Sequence, residues 1–419
     1  MSANGPGAGW MPPGTGMGTG RTNGATAPPV SGDLWQWVDP ALLPPRPWLL
    51  GTVLMRGHTT LLGSPGGTGK TAWAVAAALA AITGRKNILG LHSFVRGSVW
   101  FVTLEDDKAE MQRRIAAAMM QHGVGAGDIA GRLYLTDGVL KLVEYSHSGR
   151  TAQFTPSVED CKDFIRDNNI LLTIIDPLVK AHSVDGSSND AMDVLISASN
   201  EIARDTQCSM LVPCHFRKGG DLDTDGRDLF RGATSLVDGA RIARGMQQMT
   251  DAEAKGFGMA DDRRTAFVRM VDIKSNMAPK AQATDWYELV PIALGNDRVD
   301  PAYTAGDSVQ AIKRWDPPEL FGGMDHPTMA AIFSRLGDAS QTFHATAGGG
   351  RNWAGTVIMA EAGKSREQAK DILRLWIDSG TLIDLTYKNT SGEERHKLVP
   401  DPAKVAAILS DMATHTPGP

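Results

Sequence analysis

The sequence predicts an α/β fold with a mostly parallel central sheet, an antiparallel extension along one edge, and a small winged-helix-like domain at the C-terminal end. Three observations carry this. Short apolar runs alternate with helical patterns between about residues 59 and 213. Two of those runs, Val99–Leu104 and Leu171–Ile175, end directly in acidic residues. A glycine-rich loop, Gly63-Ser64-Pro65-Gly66-Gly67-Thr68-Gly69-Lys70-Thr71, joins the first run to an alanine-rich helix. Strands covered on both faces read as continuous apolar stretches, and strand–helix alternation is the pattern of parallel crossovers.

Residues 1–32 are rich in Gly, Pro, Thr and Ala with almost no charge. Such a segment cannot bury a core and is expected to be a disordered tail. Order is expected from Asp33-Leu34-Trp35-Gln36-Trp37, followed by an extended lead-in, Pro44-Pro45-Arg46-Pro47-Trp48-Leu49. Trp35, Trp37 and Trp48 have two readings, packing on a neighbouring subunit or on their own domain. Strands are expected at Thr59–Leu62, Ser98–Leu104, Arg132–Leu135, Leu171–Ile175 and Ser209–Pro213. The helices between them fall at about 70–83, 107–121, 157–168 and 189–206. Beyond residue 235 the stretches Arg264–Ile273 and Asp285–Leu294 read as antiparallel strands at one sheet edge. This core is assigned to 33–300, a linker to 301–325 and a second domain to 326–419.

In the second domain a helix near 352–362, a turn at Gly363-Lys364-Ser365, an amphipathic helix Arg366–Ser379 and strands at about 381–387 and 395–399 give the order of a winged helix. Lys364, Arg366, Lys370 and Arg374 favour nucleic acid. Glu367, Asp371, Glu393 and Glu394 dilute that charge, so a helical interaction domain stays open.

Of 419 residues, 42% are hydrophobic and 21% charged, as in an ordinary globular protein. The formal net charge of −5 gives no global basic signature, so any nucleic-acid contact must be local. Cys161, Cys208 and Cys214 form no C-x-x-C pair. They suit a reducing cytosol and argue against disulfides or a cysteine-rich zinc site. No apolar run reaches about 18 residues, and no apolar stretch follows basic residues at the start, so a cytoplasmic protein with no membrane partner is expected.

The glycine loop ends in the Gly69-Lys70-Thr71 of a Walker A motif, G-x-x-x-x-G-K-[ST]. Gly66, Gly67, Thr68 and Gly69 let successive backbone N–H groups turn inward around a phosphate, and the helix N-terminus adds its positive dipole end. Lys70 would neutralise the β/γ oxygens and the Thr71 hydroxyl would ligate Mg²⁺. ATP and Mg²⁺ are therefore the expected ligands. Asp176, closing an apolar strand, is placed to meet the Mg²⁺ shell beside Thr71. Glu105, closing another, is the candidate base that activates the attacking water. Asp106 is the spare carboxylate or an N-cap for the next helix. His215 ends a third strand, next to a loop, where it can sense the γ-phosphate. The Gly- and Asp-rich loop Arg217–Asp228 is placed to face a pore or a ligand.

The order of these motifs resembles the RecA-like core of the RepA-like hexameric replicative helicases of plasmids and phages, over roughly residues 45–295. The likeness includes Leu104-Glu105-Asp106, Ile175-Asp176, His215-Phe216-Arg217-Lys218 and Arg231-Gly232-Ala233-Thr234-Ser235-Leu236-Val237-Asp238. It continues through Met249-Thr250-Asp251-Ala252-Glu253-Ala254, Asp261–Arg264 and Lys274-Ser275-Asn276. By position, the resemblance implies that Arg231 acts as an arginine finger on the neighbouring subunit's nucleotide. It also implies that Lys274 comes from a strand helping to close that interface, in a homo-oligomeric ring, a hexamer. Two departures stand out. Cys214-His215 replaces the frequent His-His pair, and residues 310–419 have no obvious counterpart in compact plasmid members.

The function expected from this is an ATP-driven DNA helicase of plasmid or phage replication. Loops near 180–190 and 217–230 would move single-stranded DNA, with local charge from Lys180, Arg217 and Lys218. A replication initiator or primase is a candidate partner. Two alternatives remain: a RecA-like recombination or annealing ATPase, and an ATP-switched DNA-binding regulator.

Overall fold

The computed structural model of the chain describes residues 32–149, 151–186, 188–215, 234–257, 259, 263–279, 284–297, 306–317, 320–346, 352–388 and 391–414. Met1–Pro45 and Arg46–Pro419 form two compact units. The described part of the first holds one 3-10 turn, Pro40–Leu42, capped by Asp39, whose Oδ1 accepts from the Ala41 N–H at 2.9 Å. Leu34, Trp35 and Trp37 are exposed. Apart from Gly32, the expected tail lies outside the described residues.

The second unit opens with a small hairpin, β1 (Trp48–Leu50) and β2 (Leu54–Met55), before β3 (Thr59–Ser64). Next come α1 (Lys70–Thr83), β4 (Ser98–Thr103), α2 (Lys108–His122), α3 (Ala126–Ile129) and β5 (Leu133–Asp137). A second hairpin, β6 (Val143–Tyr145) and β7 (Ala152–Phe154), precedes α4 (Ser157–Asp167), β8 (Ile170–Asp176), α5 (Asn189–Thr206) and β9 (Ser209–His215). Beyond them lie α6 (Thr234–Gly239), β10 (Ile242–Gln248), α7 (Asp251–Gly256), β11 (Phe267–Ser275), β12 (Asp285–Ala293) and β13 (Ser308–Trp315). The C-terminal part has α8 (His326–Leu336), α9 (Gly355–Ala362), α10 (Arg366–Asp378), β14 (Leu382–Lys388), β15 (Glu394–Pro400) and α11 (Pro402–Thr414). Among the described residues no helix is long and apolar enough to cross a membrane.

Nine strands form one sheet in the order β13-β12-β11-β10-β3-β9-β8-β4-β5. From β10 to β5 every pairing is parallel, and β11, β12 and β13 continue antiparallel from β10. The α/β fold with an antiparallel extension is thus as the sequence predicts. The strand between β3 and β8 is β9, so the phosphate-loop strand and the Asp176 strand are separated by the one that ends in His215.

The alanine content of α1 has a physical cause. The helix packs on β3, β4, β8 and β9, and also on α2 and β13. All of its residues except Thr71 and Thr83 are buried. A helix enclosed all round is apolar on every face, and small side chains let its neighbours approach. Tyr287 and Leu289 of β12 and Ile312 of β13 belong to the same apolar core as Trp73 and Leu79.

Two strands of the nine-stranded sheet differ from the expectation. The segment assigned as a linker, 301–325, contains β13, an edge strand fully registered on β12 from Trp286↔Trp315 to Ala293↔Ser308. It was hidden because a short alternating strand with polar residues on its open face resembles a connecting segment. The strand β10, beside the phosphate-loop strand, was not expected at all. Its sequence, Ile-Ala-Arg-Gly-Met-Gln-Gln, carries an arginine where a buried strand should be apolar. Arg244 is only 4% exposed and is neutralised in place by Asp272 of β11, while its NH2 group donates to the Thr52 carbonyl at 2.8 Å. Burial holds its pKa below the usual arginine value, opposed by Asp285 and Tyr287. A pairing partner about 30 residues downstream leaves no local trace in the sequence.

In the C-terminal part, α8, α9, α10 and the β14–β15 hairpin enclose a core that includes Ile332, Phe333, Trp353, Ile358, Ile372, Trp376 and Leu398. Ser365 and Gln368 form a reciprocal capping box that starts α10. The basic residues expected to favour nucleic acid are mostly engaged. Lys364 is buried and its Nζ donates to the Gly322 carbonyl at 2.6 Å. Arg366 lies over the Trp353 ring at 5.1 Å, and Lys370 pairs with Glu367 at 2.9 Å. Arg374 stays highly exposed, with Asp378 at 3.9 Å. The helix α10 also packs against α7.

Candidate nucleotide-binding and hydrolysis site

The loop between β3 and α1 turns on two residues in the left-handed region, Gly67 with φ of 78° and Gly69 with φ of 85°. Gly69 is the N-cap of α1 and brings no side chain to its first N–H groups. Those donors therefore face outward for an anion. A second constraint acts at the same residue: a Cβ there would fall 2.5 Å from Leu289 Cδ2 of β12. The backbone angle requires glycine at 69, and any side chain there would also have to displace the Leu289 methyl.

Lys70 points back under the loop. Its Nζ donates to Ser64 Oγ at 2.9 Å, to the Pro65 and Ser64 carbonyls at 3.2 and 3.3 Å, and to His215 Nδ1 at 3.2 Å. Thr68 closes the loop by donating to the Pro65 carbonyl at 2.9 Å and pairing with Ser64 Oγ. Burial lowers the Lys70 pKa, opposed by Cys214, Asp176 and Glu105. An amine held in this way gains most when an anion arrives to pair with it.

The Thr71 hydroxyl donates to Asp176 Oδ2 at 2.7 Å. The register of β4 on β8 sets Thr103 opposite Asp176, and the Leu104 N–H donates to the Asp176 carbonyl at 2.9 Å, which brings Glu105 alongside. Burial raises the Asp176 pKa; the Thr71 hydrogen bond and Lys70 oppose it, while Asp106 and Glu105 push it further up. Carboxylates this close repel one another, and a divalent cation would relieve that. Magnesium takes oxygen ligands and keeps waters and phosphate oxygens in its shell. Thr71 and Asp176 fit that chemistry without a full protein cage. Among the described residues there is no group of three or more His, Cys, Asp and Glu able to hold a metal.

Glu105 is exposed and, among the described residues, its carboxylate has no hydrogen-bond or ion-pair partner. Asp106 differs: it pairs with Arg114 Nε at 3.0 Å. The N-cap of α2 is Asp107, whose Oδ1 accepts from the Glu110 N–H at 2.7 Å, and not Asp106 as the sequence suggested. Glu105→Gln should leave ATP binding intact and slow turnover about 10²-fold or more, and Asp106→Asn should not. Steady-state phosphate release with both variants checks this, and the reverse pattern would exchange the two roles.

The register Ser64↔His215 sets the histidine level with the loop. Its pKa is lowered by burial and by Lys70, and raised by Glu105. A neutral ring is what the Lys70 contact needs, because only an unprotonated Nδ1 accepts a hydrogen bond. Cys214, buried behind it, has its thiol pushed up to about 12 by burial and is an inert neighbour.

The fold thus brings together Gly66, Gly67, Thr68, Gly69, Lys70, Thr71, Glu105, Asp176 and His215. Lys274 is not among them. It lies on β11 opposite Ala243, level with Leu61, and donates to the Val237 and Asp238 carbonyls at 3.0 and 2.7 Å, at the end of α6. Arg231, Phe216, Arg217 and Lys218 lie outside the described residues. Sequence reasoning missed Ser64, whose hydroxyl holds Lys70; it stands six residues before Lys70, where the motif has its first glycine. It also missed Leu289, which arrives from more than 200 residues away.

A phosphate loop, an aspartate beside Thr71 and, among the described residues, an unpartnered carboxylate at the next strand end form an arrangement suited to binding and hydrolysing a nucleoside triphosphate. Consistent with this, residues 27–221 match the protein family described as AAA domain. That segment covers the loop and strands β3, β4, β8 and β9; β10–β13 and the C-terminal part lie beyond it.

Proposed function

We propose that the chain is an ATP-driven motor on single-stranded DNA, a helicase or translocase of plasmid or phage replication that works as a ring with ATP between subunits. One observation carries the hydrolytic half. The strand order brings Glu105, with no partner among the described residues, beside Lys70, Thr71, Asp176 and His215. The loop N–H groups and Lys70 bind the phosphate oxygens of ATP. Glu105 takes the proton of the attacking water. His215, bonded to Lys70, registers whether the γ-phosphate is present. When bound beside Thr71 and Asp176, Mg²⁺ supplies charge neutralisation to the phosphates.

The DNA half rests on the motif order and on the loop after Asp176, which exposes Val179 and Lys180 at the same sheet edge. Such a loop needs only a modest local charge to follow a phosphate backbone. The C-terminal part is assigned to duplex DNA or to a replication initiator or primase.

A strand-displacement assay on forked DNA with either a 5′ or a 3′ tail tests the reading. ATP-dependent displacement that is lost in Lys70→Ala is the expected result. Filaments on single-stranded DNA in electron micrographs, without displacement, would instead indicate a recombination-type ATPase. ATP-dependent duplex binding without either would indicate a regulator.

A further inference from the structure

The parallel crossover from β5 to β8 requires only α4, yet residues 138–156 insert the β6–β7 hairpin at the C-terminal end of β5. This is the sheet edge that carries the phosphate loop. The hairpin is well anchored: Leu142 and Val143 are fully buried, and the Thr155 N–H donates to the Leu142 carbonyl at 3.0 Å.

The segment after Asp176 is bound to it. The Leu142 N–H donates to the Ala181 carbonyl at 2.8 Å, and the Ser183 N–H donates to the Val143 carbonyl at 3.0 Å. Val143 and His182 form a parallel bridge, and the Asp185 N–H donates to Tyr145 Oη at 3.1 Å. Lys141 adds a charged clamp. Its Nζ donates to the carbonyls of Lys180 at 2.6 Å and His182 at 3.0 Å, one on each side of Ala181. Among the described residues no carboxylate pairs with it.

We propose that Lys141 is a positioning residue that couples the Asp176 site to the DNA-holding loop, an inference that rests on the motor reading above. Lys180 lies only four residues beyond Asp176. Leu178 and Ala181 in the same turn are fully buried, so it has little room to absorb a displacement of Asp176. The displacement passes instead to the exposed residues Val179, Lys180, Ser183 and Asp185. The main-chain bonds fix the loop to the hairpin along one line, and the two lysine bonds fix its tilt about that line. Lys141 itself touches no group of the nucleotide site.

The test is ATP hydrolysis by the full chain with and without saturating oligo-dT, in wild type, Lys141→Met, Lys141→Arg and Tyr145→Phe. The unstimulated rate should stay within about twofold in all four, because the phosphate site is intact. Stimulation by oligo-dT should fall at least about fivefold in Lys141→Met, which loses two charged hydrogen bonds, and recover in Lys141→Arg. Tyr145→Phe removes a single hydroxyl from a partly exposed ring, so its fold is secure, and it should lose part of the stimulation. A purely structural role would lower both rates together. Wild-type stimulation in both Lys141→Met and Tyr145→Phe overturns the coupling role alone. A wild type that oligo-dT does not stimulate removes the motor reading, and the coupling role with it.

Discussion

Lys70→Ala should abolish ATP hydrolysis without unfolding the protein. Lys70 is the one loop-borne cation that can meet the β/γ oxygens, and its charge is already at a disadvantage where it stands, lowered in pKa by burial. A lysine whose pKa is lower folded than unfolded costs stability while protonated, from its ordinary value down through neutral pH. The alanine variant should therefore melt no lower than wild type, although Ser64 Oγ and the Pro65 carbonyl lose a donor. Phosphate release and a thermal melt separate the two effects. Turnover within about twofold of wild type would remove the phosphate-loop assignment.

Arg231→Ala should bind nucleotide and lose turnover by roughly 10³-fold or more, as the removal of an arginine finger does in related phosphoryl transfers. Lys70 is the leading cation acting on Asp176. A finger would add a second positive charge for the transition state, from the same subunit or from a neighbouring copy. Mixing Arg231→Ala with wild type distinguishes these. A finger acting in trans poisons neighbours, so activity should fall faster than the wild-type fraction. A strictly proportional fall would place the residue in its own subunit's chemistry or outside it.

Most of the parallel core was legible in the sequence because its signals are local. Leu171–Ile175 and Ser209–Pro213 are apolar runs that need no knowledge of their partners. Asp176, Glu105 and His215 sit at strand ends that the runs themselves mark, and Lys70 and Thr71 open the helix that follows the glycine loop. The features that escaped depend on distant residues. Arg244 disguises β10 until Asp272 is set beside it, and Asp107 is the cap because α2 begins at Lys108, while Arg114, two turns along α2, holds Asp106. Leu289 on Gly69 is a contact between chain segments that share no pattern. In the C-terminal part the helices near 352–362 and 366–379 and the hairpin were legible for the same reason as the core, through the amphipathic Arg366–Ser379 stretch and its turn at Gly363, whereas α8 and α11 were not foreseen.

The strand β13 changes where the catalytic body can be divided from the C-terminal helices. Cutting the chain after residue 300 would strip Ile312 from the apolar core around α1. It would also remove Asp307, which holds Arg113 of α2 at 3.1 Å, and the Ile312 carbonyl that meets His122 Nε2 at 2.8 Å. The helix that carries Lys70 would then face water along a flank made of alanines, which have too little surface to shield it. A catalytic fragment that keeps its nucleotide helix roofed must run through Trp315.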